Sequence, residues 1–157
     1  MADLPILELR RIEASVVKPI YEEMVASLGE GEARRILGRA IRRNAIAQAE
    51  AMAAETRPSR LQDFVDLLGR WTASGALEID VCEQSAERFS FDVTRCRYQE
   101  MYREMGLADI GHLLSCNRDG AFCEGYDRRL TLTRTQTLMG GASHCDFRYR
   151  YDTSADG

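Results

Sequence analysis

The sequence predicts an α+β domain in which N-terminal helices pack on an antiparallel sheet of about four strands, with helices between its two hairpins. Before Gly75, apolar residues recur at every third or fourth position, which is the period of an amphipathic helix. After Gly75 they alternate with polar residues, which is the period of a strand. A chain of 157 residues that is 45% hydrophobic can fill one core. We therefore expect a single domain over residues 1–157, with a helical part at 1–74, an α+β part carrying the site at 75–152, and a tail at 153–157.

The helical part is predicted to contain three helices, at residues 6–28, 32–56 and 60–72. Pro19 is expected to kink or interrupt the first helix, because proline removes a backbone hydrogen bond. Ser59 and Gln62 form a capping box at the start of the third helix. The three helices are expected to be scaffold or the surface of a homodimer, and the first has one apolar face. That face consists of Leu9, Ile12, Val16, Ile20, Met24 and Leu28.

The second half is predicted to form two hairpins, with strands at residues 77–82, 89–94, 130–138 and 144–151. Helical segments are expected at residues 98–105 and 108–114, and a glycine-centred turn at Gly140 and Gly141. Cys116 follows the second of these segments, and Asp119 with Gly120 is a common turn dipeptide. We therefore expect residues 116–120 to form a turn that presents several polar groups together.

Composition excludes several classes of protein. The charged fraction of 29% is ordinary, so a disordered chain is not expected. No apolar run reaches the roughly 18 residues that a membrane span needs, and the first arginines follow the apolar stretch instead of preceding it as in a signal peptide. The net charge of −4 argues against nucleic-acid binding, for which a basic domain is usual. We expect a soluble cytoplasmic protein with neither a membrane nor a nucleic acid as partner.

The five cysteines indicate reduced thiols, because their number is odd and no secretion signal precedes them. No two are spaced as Cys-x-x-Cys, so the usual structural zinc pattern is missing. All but Cys82 lie at positions 96 to 145, together with His112 and His144. Polar chemistry is therefore concentrated in the second half of the chain.

Three features of this half indicate a site. Arg134 and Gln136 fall on the apolar face of a predicted strand, where they are costly unless paired or facing a wet pocket. Cys96 lies between two arginines, which favour the thiolate form of a cysteine. In the last strand Cys145 alternates with aromatic residues and is expected to face the core, whereas His144 shares the other face with charged residues.

A series of five motifs resembles the L-2-amino-thiazoline-4-carboxylic acid hydrolase family. In chain order they are Val-Thr-Arg-Cys-Arg-Tyr with Glu-Met-Tyr at 93–102, Leu-Ser-Cys-Asn-Arg-Asp at 114–119, Glu-Gly-Tyr at 124–126, Leu-Thr-Arg-Thr-Gln-Thr at 132–137, and Gly-Ala-Ser-His-Cys-Asp-Phe-Arg-Tyr at 141–149. The resemblance extends over the N-terminal helices and Trp71. One departure is Tyr126-Asp127, where the family pattern has Phe-Asn.

The resemblance implies a hydrolase that opens a five-membered 2-aminothiazoline ring on the route to cysteine. Such a reaction needs a nucleophile or base, a proton donor for the ring, and a cation for the substrate carboxylate. Cys96 or Cys116 can attack as a thiolate while Asp119 or His144 moves protons, or Asp119 can activate water directly. The favoured catalytic pair is Cys116 with Asp119.

The substrate-binding roles implied by the resemblance fall on the arginines and amides of the same motifs. Arg134, with Arg95 or Arg118 as substitutes, is expected to bind the carboxylate in a bidentate pair. Asn117 and Gln136 are expected to orient the amidine. Glu124 is a further expected substrate-binding residue.

Two alternatives remain open at this stage. No cofactor is expected, but Cys96, Cys116, His144 and Cys145 are candidate ligands for zinc, which would activate water in place of a protein nucleophile. The C-terminal motif also resembles the close of vinyl-reductase-like sensor domains, which bind small molecules without turnover. A hydrolase of another small cyclic amidine, imide or thioimidate would use the same residues.

Overall fold

A computed structural model describes residues 4–154, which form five α-helices and one four-stranded sheet. In chain order the elements are α1 (Ile6–Leu28), α2 (Glu30–Thr56), α3 (Leu61–Thr72), β1 (Leu77–Gln84), β2 (Arg88–Cys96), α4 (Arg97–Glu104), α5 (Asn117–Tyr126), β3 (Leu130–Thr133) and β4 (Cys145–Tyr151). A short 3₁₀ turn precedes β1, and a π-helical turn (His112–Cys116) leads directly into α5. The predicted tail at 153–157 lies mostly outside the described residues.

The four strands are all antiparallel, in the order β1-β2-β4-β3, which confirms the predicted α+β fold. In the pairing of β2 with β4, Phe91 lies opposite Phe147 and Val93 lies opposite Cys145. The rings of Phe91 and Phe147 stack with centroids 4.9 Å apart. Because side chains alternate along a strand, these residues and Tyr149 share one buried face of the sheet. That face forms the aromatic half of the core.

The apolar face of α1 that was predicted to be scaffold or dimer surface is wrong as scaffold, because a different face packs against the protein, and it stays a prediction as dimer surface. Ile12, Val16 and Ile20 are each more than half exposed, whereas Arg10 and Tyr21 are buried. The helix carries two apolar stripes, and periodicity alone does not show which one meets the core. Pro19 does not interrupt α1, which continues through it. Pro19 lies on the exposed side, where water can satisfy the carbonyl that loses its partner.

The start of α3 differs from the predicted capping box by one residue. Arg60 is the N-cap, and Asp63 supplies the reciprocal acceptor in place of Gln62. One carboxylate oxygen of Asp63 accepts from the backbone N–H groups of Ser59 and Arg60, both at 2.9 Å. A charged acceptor binds backbone donors more strongly than a neutral amide does, which explains the shift.

Two further expectations for the second half are wrong. The residues from Cys116 to Gly120 form no turn, because the π-helical turn continues into α5 and places Asp119 inside a helix. The strand predicted to reach residue 138 ends at Thr133. Beyond Thr133, the Asp146 carboxylate accepts hydrogen bonds from the backbone N–H groups of Thr135 and Gln136, both at 2.9 Å. These two N–H groups are therefore not available for pairing with a neighbouring strand.

Helix α5 is held close to α2 by a glycine. A Cβ added at Gly125 would lie 2.3 Å from the carbonyl oxygen of Ile46 and 3.0 Å from the Cβ of Ala49. Only a residue without a side chain permits this approach. α5 also contacts β3, so its position is fixed relative to the sheet. Within residues 4–154 no helix is both long and apolar enough to cross a membrane.

Candidate functional site

A cavity with two adjoining lobes lies between the buried face of the sheet and helices α1, α3 and α5. Their volumes are about 70 and 60 Å³, so each has room for several water molecules. One lobe contains polar groups and thiols, and the other is lined mainly by aromatic rings. The residues common to both are Arg10, Trp71, Leu77, Arg118, Asp119 and Phe147.

The polar lobe brings together six of the residues that the sequence marks as candidates. Three are thiols, from the end of β2, the end of the π-helical turn and the start of β4. Two more come from α5 and one from the segment after β3. The six are Cys96, Cys116, Cys145, Arg118, Asp119 and Arg134. π-Helical turns often occur at functional sites because the extra residue changes the direction of the side chains that follow.

Asp119 and Arg134 form an ion pair at the centre of this lobe. Arg134 Nη1 donates to Asp119 Oδ2 at 2.6 Å, and Arg134 Nη2 donates to the carbonyl of Cys116 at 3.1 Å. The guanidinium also lies over the ring of Phe147, 5.0 Å from its centroid. These partners explain how an arginine is accommodated among apolar residues. Burial raises the pKa of Asp119 above its ordinary value, although the charge of Arg134 opposes that shift.

The three thiols of the polar lobe are in their neutral form near neutral pH. Burial raises the pKa of Cys96 to about 11, and burial together with the negative charge of Asp119 raises the pKa of Cys116 to about 12. Burial also raises the pKa of Cys145. The arginines next to Cys96 in sequence do not produce the thiolate that their charge led us to expect, because desolvation is the larger effect.

A second set of charged groups in the cavity wall contains Arg10, which sequence analysis missed, and Arg118, which it named as a candidate for binding the carboxylate. Arg10 is buried on α1, and its Nη1 donates to both carboxylate oxygens of Glu13, at 3.1 and 2.9 Å. Arg118 donates through Nε to the carbonyl of Leu114 at 2.9 Å and through Nη1 to Asn44 at 3.1 Å. The one available signal for Arg10 was its position in phase with residues 6, 14 and 21, which form the buried stripe of α1.

Two of the predicted substrate-binding residues lie in exposed ion pairs outside the cavity. Arg95 binds Glu100, with an Nε to Oε1 distance of 2.9 Å, on the solvent side of the sheet. Glu124 lies on the outer side of α5 and binds Arg42, with its carboxylate oxygens 2.6 and 2.7 Å from Nη2. Neither side chain is among the residues that line the two lobes.

Three more predicted residues also point away from the cavity. Asn117 donates to the carbonyl of Gly38 at 2.9 Å and so ties α5 to α2. His144 and Gln136 lie together on the sheet face opposite Cys145, as strand alternation predicts. Ser143 Oγ is 2.9 Å from His144 Nδ1, and Gln136 donates to the carbonyl of His144 at 3.1 Å.

Residues 4–154 contain no group of three or more His, Cys, Asp or Glu side chains that could hold a metal ion. The alternative zinc ligands include His144 and Cys145, which are adjacent in β4 and its approach and therefore face opposite sides of the sheet. The residues present thus do not fit a zinc site that includes His144.

The fold and the cavity define an α+β domain with an internal cavity that is lined by thiols, charged groups and aromatic rings. A family model described as L-2-amino-thiazoline-4-carboxylic acid hydrolase matches residues 9–149. The chain belongs to this family, and the resemblance seen in its motifs is confirmed. The comparison with curated proteins returned no match.

Solved structures with similar folds include ligand-binding domains. The phenol-responsive sensory domain of the transcription activator PoxR, solved with phenol, is 14% identical at a TM-score of 0.50, covering 96% of this chain and 76% of that chain. A trafficking protein particle complex subunit 3 from Naegleria fowleri, covalently bound to palmitic acid, is 10% identical at a TM-score of 0.50. That match covers 90% of this chain and 96% of the other. At these identities the likeness concerns the fold alone.

Proposed function

We propose that the protein is a hydrolase that opens the ring of a small cyclic amidine, with L-2-amino-thiazoline-4-carboxylate as its substrate. The observation that carries the proposal is the partly buried ion pair of Asp119 and Arg134, which lies among thiols in the polar lobe of the cavity. Membership of the hydrolase family supports the reaction class. The carboxylate-bearing substrate is supported by three arginines in the cavity wall.

The reaction consumes one water molecule. Water adds to the ring carbon that lies between nitrogen and sulfur, so that its oxygen bonds to carbon while a base takes one proton and passes it to the ring nitrogen, whose double bond to carbon becomes single. The new hydroxyl group then loses its proton to the base as it becomes a carbonyl, the bond from that carbon to the ring sulfur or to the ring nitrogen breaks, and the departing atom takes up this second proton. The product is an open-chain carbamoyl derivative of cysteine.

Asp119 is the base in this proposal. A carboxylate whose pKa is raised by burial accepts a proton from water more readily than an ordinary one, and Arg134 at 2.6 Å fixes its orientation. The alternative, attack by Cys96 or Cys116, requires a thiolate. Burial disfavours that form, since the two pKa values lie at about 11 and about 12.

The test is turnover of L-2-amino-thiazoline-4-carboxylate by purified wild-type, Asp119→Asn, Cys116→Ala and Asp109→Asn protein, followed by mass spectrometry. Asp119→Asn is expected to lower kcat about 10²- to 10⁴-fold. The exposed Asp109 is the matched control and its variant should match wild type. Cys116→Ala is expected to retain most of the activity. Loss of turnover in Cys116→Ala, with a covalent adduct on the wild-type protein, would establish thiol attack instead.

Assays with and without a chelator test the zinc alternative. Activity is expected to persist in chelator, because water is activated by Asp119. Stoichiometric zinc in protein purified without added metal, lost together with activity on chelation, would reverse this conclusion. A free-thiol assay of the product separates the two ring cleavages, since only carbon–sulfur cleavage releases a thiol.

A second candidate function is a non-catalytic small-molecule-binding domain. The observation that favours it is the second lobe, which is lined by aromatic rings including Phe64, Phe91 and Phe122, in a fold shared with a sensory domain. This candidate predicts binding without turnover. A thermal shift with the thiazoline carboxylate in the absence of any product would favour it over the hydrolase.

A further inference from the structure

Two buried guanidinium groups, Arg10 and Arg118, lie side by side in the wall shared by both lobes. Arg10 is only 5% exposed and Arg118 only 8%. Both contact the carboxylate of Glu13. Its Oε2 atom accepts a hydrogen bond from Arg10 Nη1 at 2.9 Å and lies 3.6 Å from Arg118 Nη2. They also repel each other. Burial, followed by the charge of Arg10, lowers the pKa of Arg118 to about 10.

The charges around the cavity do not cancel. Its walls hold the guanidinium groups of Arg10, Arg118 and Arg134, while the carboxylates in contact with them are those of Glu13 and Asp119. One positive charge is therefore in excess in a site that is largely shielded from water. An uncompensated buried charge is costly, and an anion entering the cavity would remove that cost.

The unused hydrogen-bond donors show where an anion fits. Among the described residues, Arg10 donates only through Nη1, so its Nε and Nη2 have no protein partner. Arg118 uses Nε and Nη1 for protein acceptors and makes no hydrogen bond through Nη2. Arg134 differs, because both of its terminal nitrogens bind the protein. The free donors of a guanidinium match the two oxygens of a carboxylate.

We propose that Arg10 and Arg118 form the carboxylate-binding site of the cavity, and that Arg134 serves instead to hold Asp119. As a statement about the carboxylate of the thiazoline substrate, this rests on the proposed function. The site itself requires only a ligand with one carboxylate. Asp119 lines the same two lobes as both arginines, so a small ligand held there by its carboxylate would place its remaining atoms near Asp119.

The experiment compares two ligands that differ by the carboxylate, L-2-amino-thiazoline-4-carboxylate and 2-amino-2-thiazoline, by calorimetry. Wild-type protein is expected to bind the acid more tightly. Arg10→Met should weaken binding of the acid about 10- to 100-fold, since a charged hydrogen bond is lost, and change binding of the carboxylate-free ligand little. Arg11→Met is the matched control, because Arg11 is adjacent on α1 but exposed and paired with Glu8.

Two further measurements keep failure of this site distinct from failure of the proposed function. Sodium propionate, against sodium chloride at equal ionic strength, should raise the Tm of wild-type protein but not of Arg10→Met, whether or not a thiazoline binds. If Arg10→Met does not fold, the variants Arg10→Lys and Arg118→Lys replace it. Lysine keeps the positive charge but lacks the paired N–H donors of the guanidinium group, so both variants should weaken binding of the acid. Unchanged acid affinity in these variants, or equal loss for both thiazolines, would overturn the proposal. If wild-type protein turns over the thiazoline carboxylate but the arginine variants bind it with unchanged affinity, the proposed hydrolase activity is retained and the proposed carboxylate site is rejected.

Discussion

The contact between α5 and α2 at Gly125 provides a quantitative test of how the site is held. A methyl group added in Gly125→Ala would lie 2.3 Å from the carbonyl oxygen of Ile46, whereas non-bonded atoms of this kind prefer about 3.5 Å. The helices must therefore separate by roughly 1 Å. Overpacking of this kind costs about 1–3 kcal/mol, and the gain in helix propensity from glycine to alanine, at most about 1 kcal/mol, does not offset it fully.

The assay is thermal unfolding followed by circular dichroism. For a domain of this size each kcal/mol shifts the Tm by about 2–4 °C, so Gly125→Ala should lower it by several degrees. The control is Gly120→Ala in the same helix, where the added Cβ meets no heavy atom of the described residues within 4 Å beyond its own helical turn. That variant should be slightly stabilised. Equal Tm values for the two variants would refute the close-approach explanation.

Three further outcomes are expected. Ellman's reagent at pH 8 should react quickly with the exposed Cys82 in native protein, more slowly with the half-buried Cys116, and with all five thiols only after denaturation. Rapid reaction of three or more native thiols would contradict the burial of Cys96, Cys123 and Cys145. The free energy of unfolding should fall as pH rises from about 9 to 11. In the unfolded chain the thiols ionise near pH 8.5, which is below the raised pKa values of Cys96 and Cys116 in the folded protein, so the unfolded chain binds fewer protons than the folded one in this pH range. Chemical denaturation of a Cys116→Ala variant should show a shallower fall. Asp63→Ala should cost about 1 kcal/mol through loss of the α3 cap, whereas Asp66→Ala, at an exposed position of the same helix, should cost less in the same measurement.

The sheet was predictable from the sequence because strand alternation is local. Alternation places Phe91 and Phe147 each on the apolar side of its own strand, whereas the pairing of these two residues across β2 and β4 is seen only in the structure. The orientation of α1 was not predictable in this way. Its sequence has two apolar stripes, and the stripe that packs inward is the one that fits the cavity wall. In that wall, Arg10 donates a hydrogen bond to Glu13. Apolar periodicity does not count an arginine as a core position, so the sequence assigned Arg10 to no site.

The helical conformation of residues 117–126 explains why the motif around Cys116 contributes only part of its residues to the cavity. A turn would have allowed all of its polar groups to face one ligand. In a helix, successive residues are about 100° apart, so positions i and i+3 share a face while i+1 does not. Cys116 and Asp119 accordingly line the polar lobe, whereas Asn117 binds the carbonyl of Gly38 in α2.

The same division explains the two remaining polar positions of this segment. Arg118 reaches the cavity wall from the side of α2 and α1, where it meets Asn44 and Glu13. Glu124 lies on the outer side and binds Arg42. A family motif therefore combines residues that face the ligand with residues that fix the helix that carries them. Because both kinds are needed for a working site, membership in the motif alone does not distinguish them, and the direction of each side chain from the helix does.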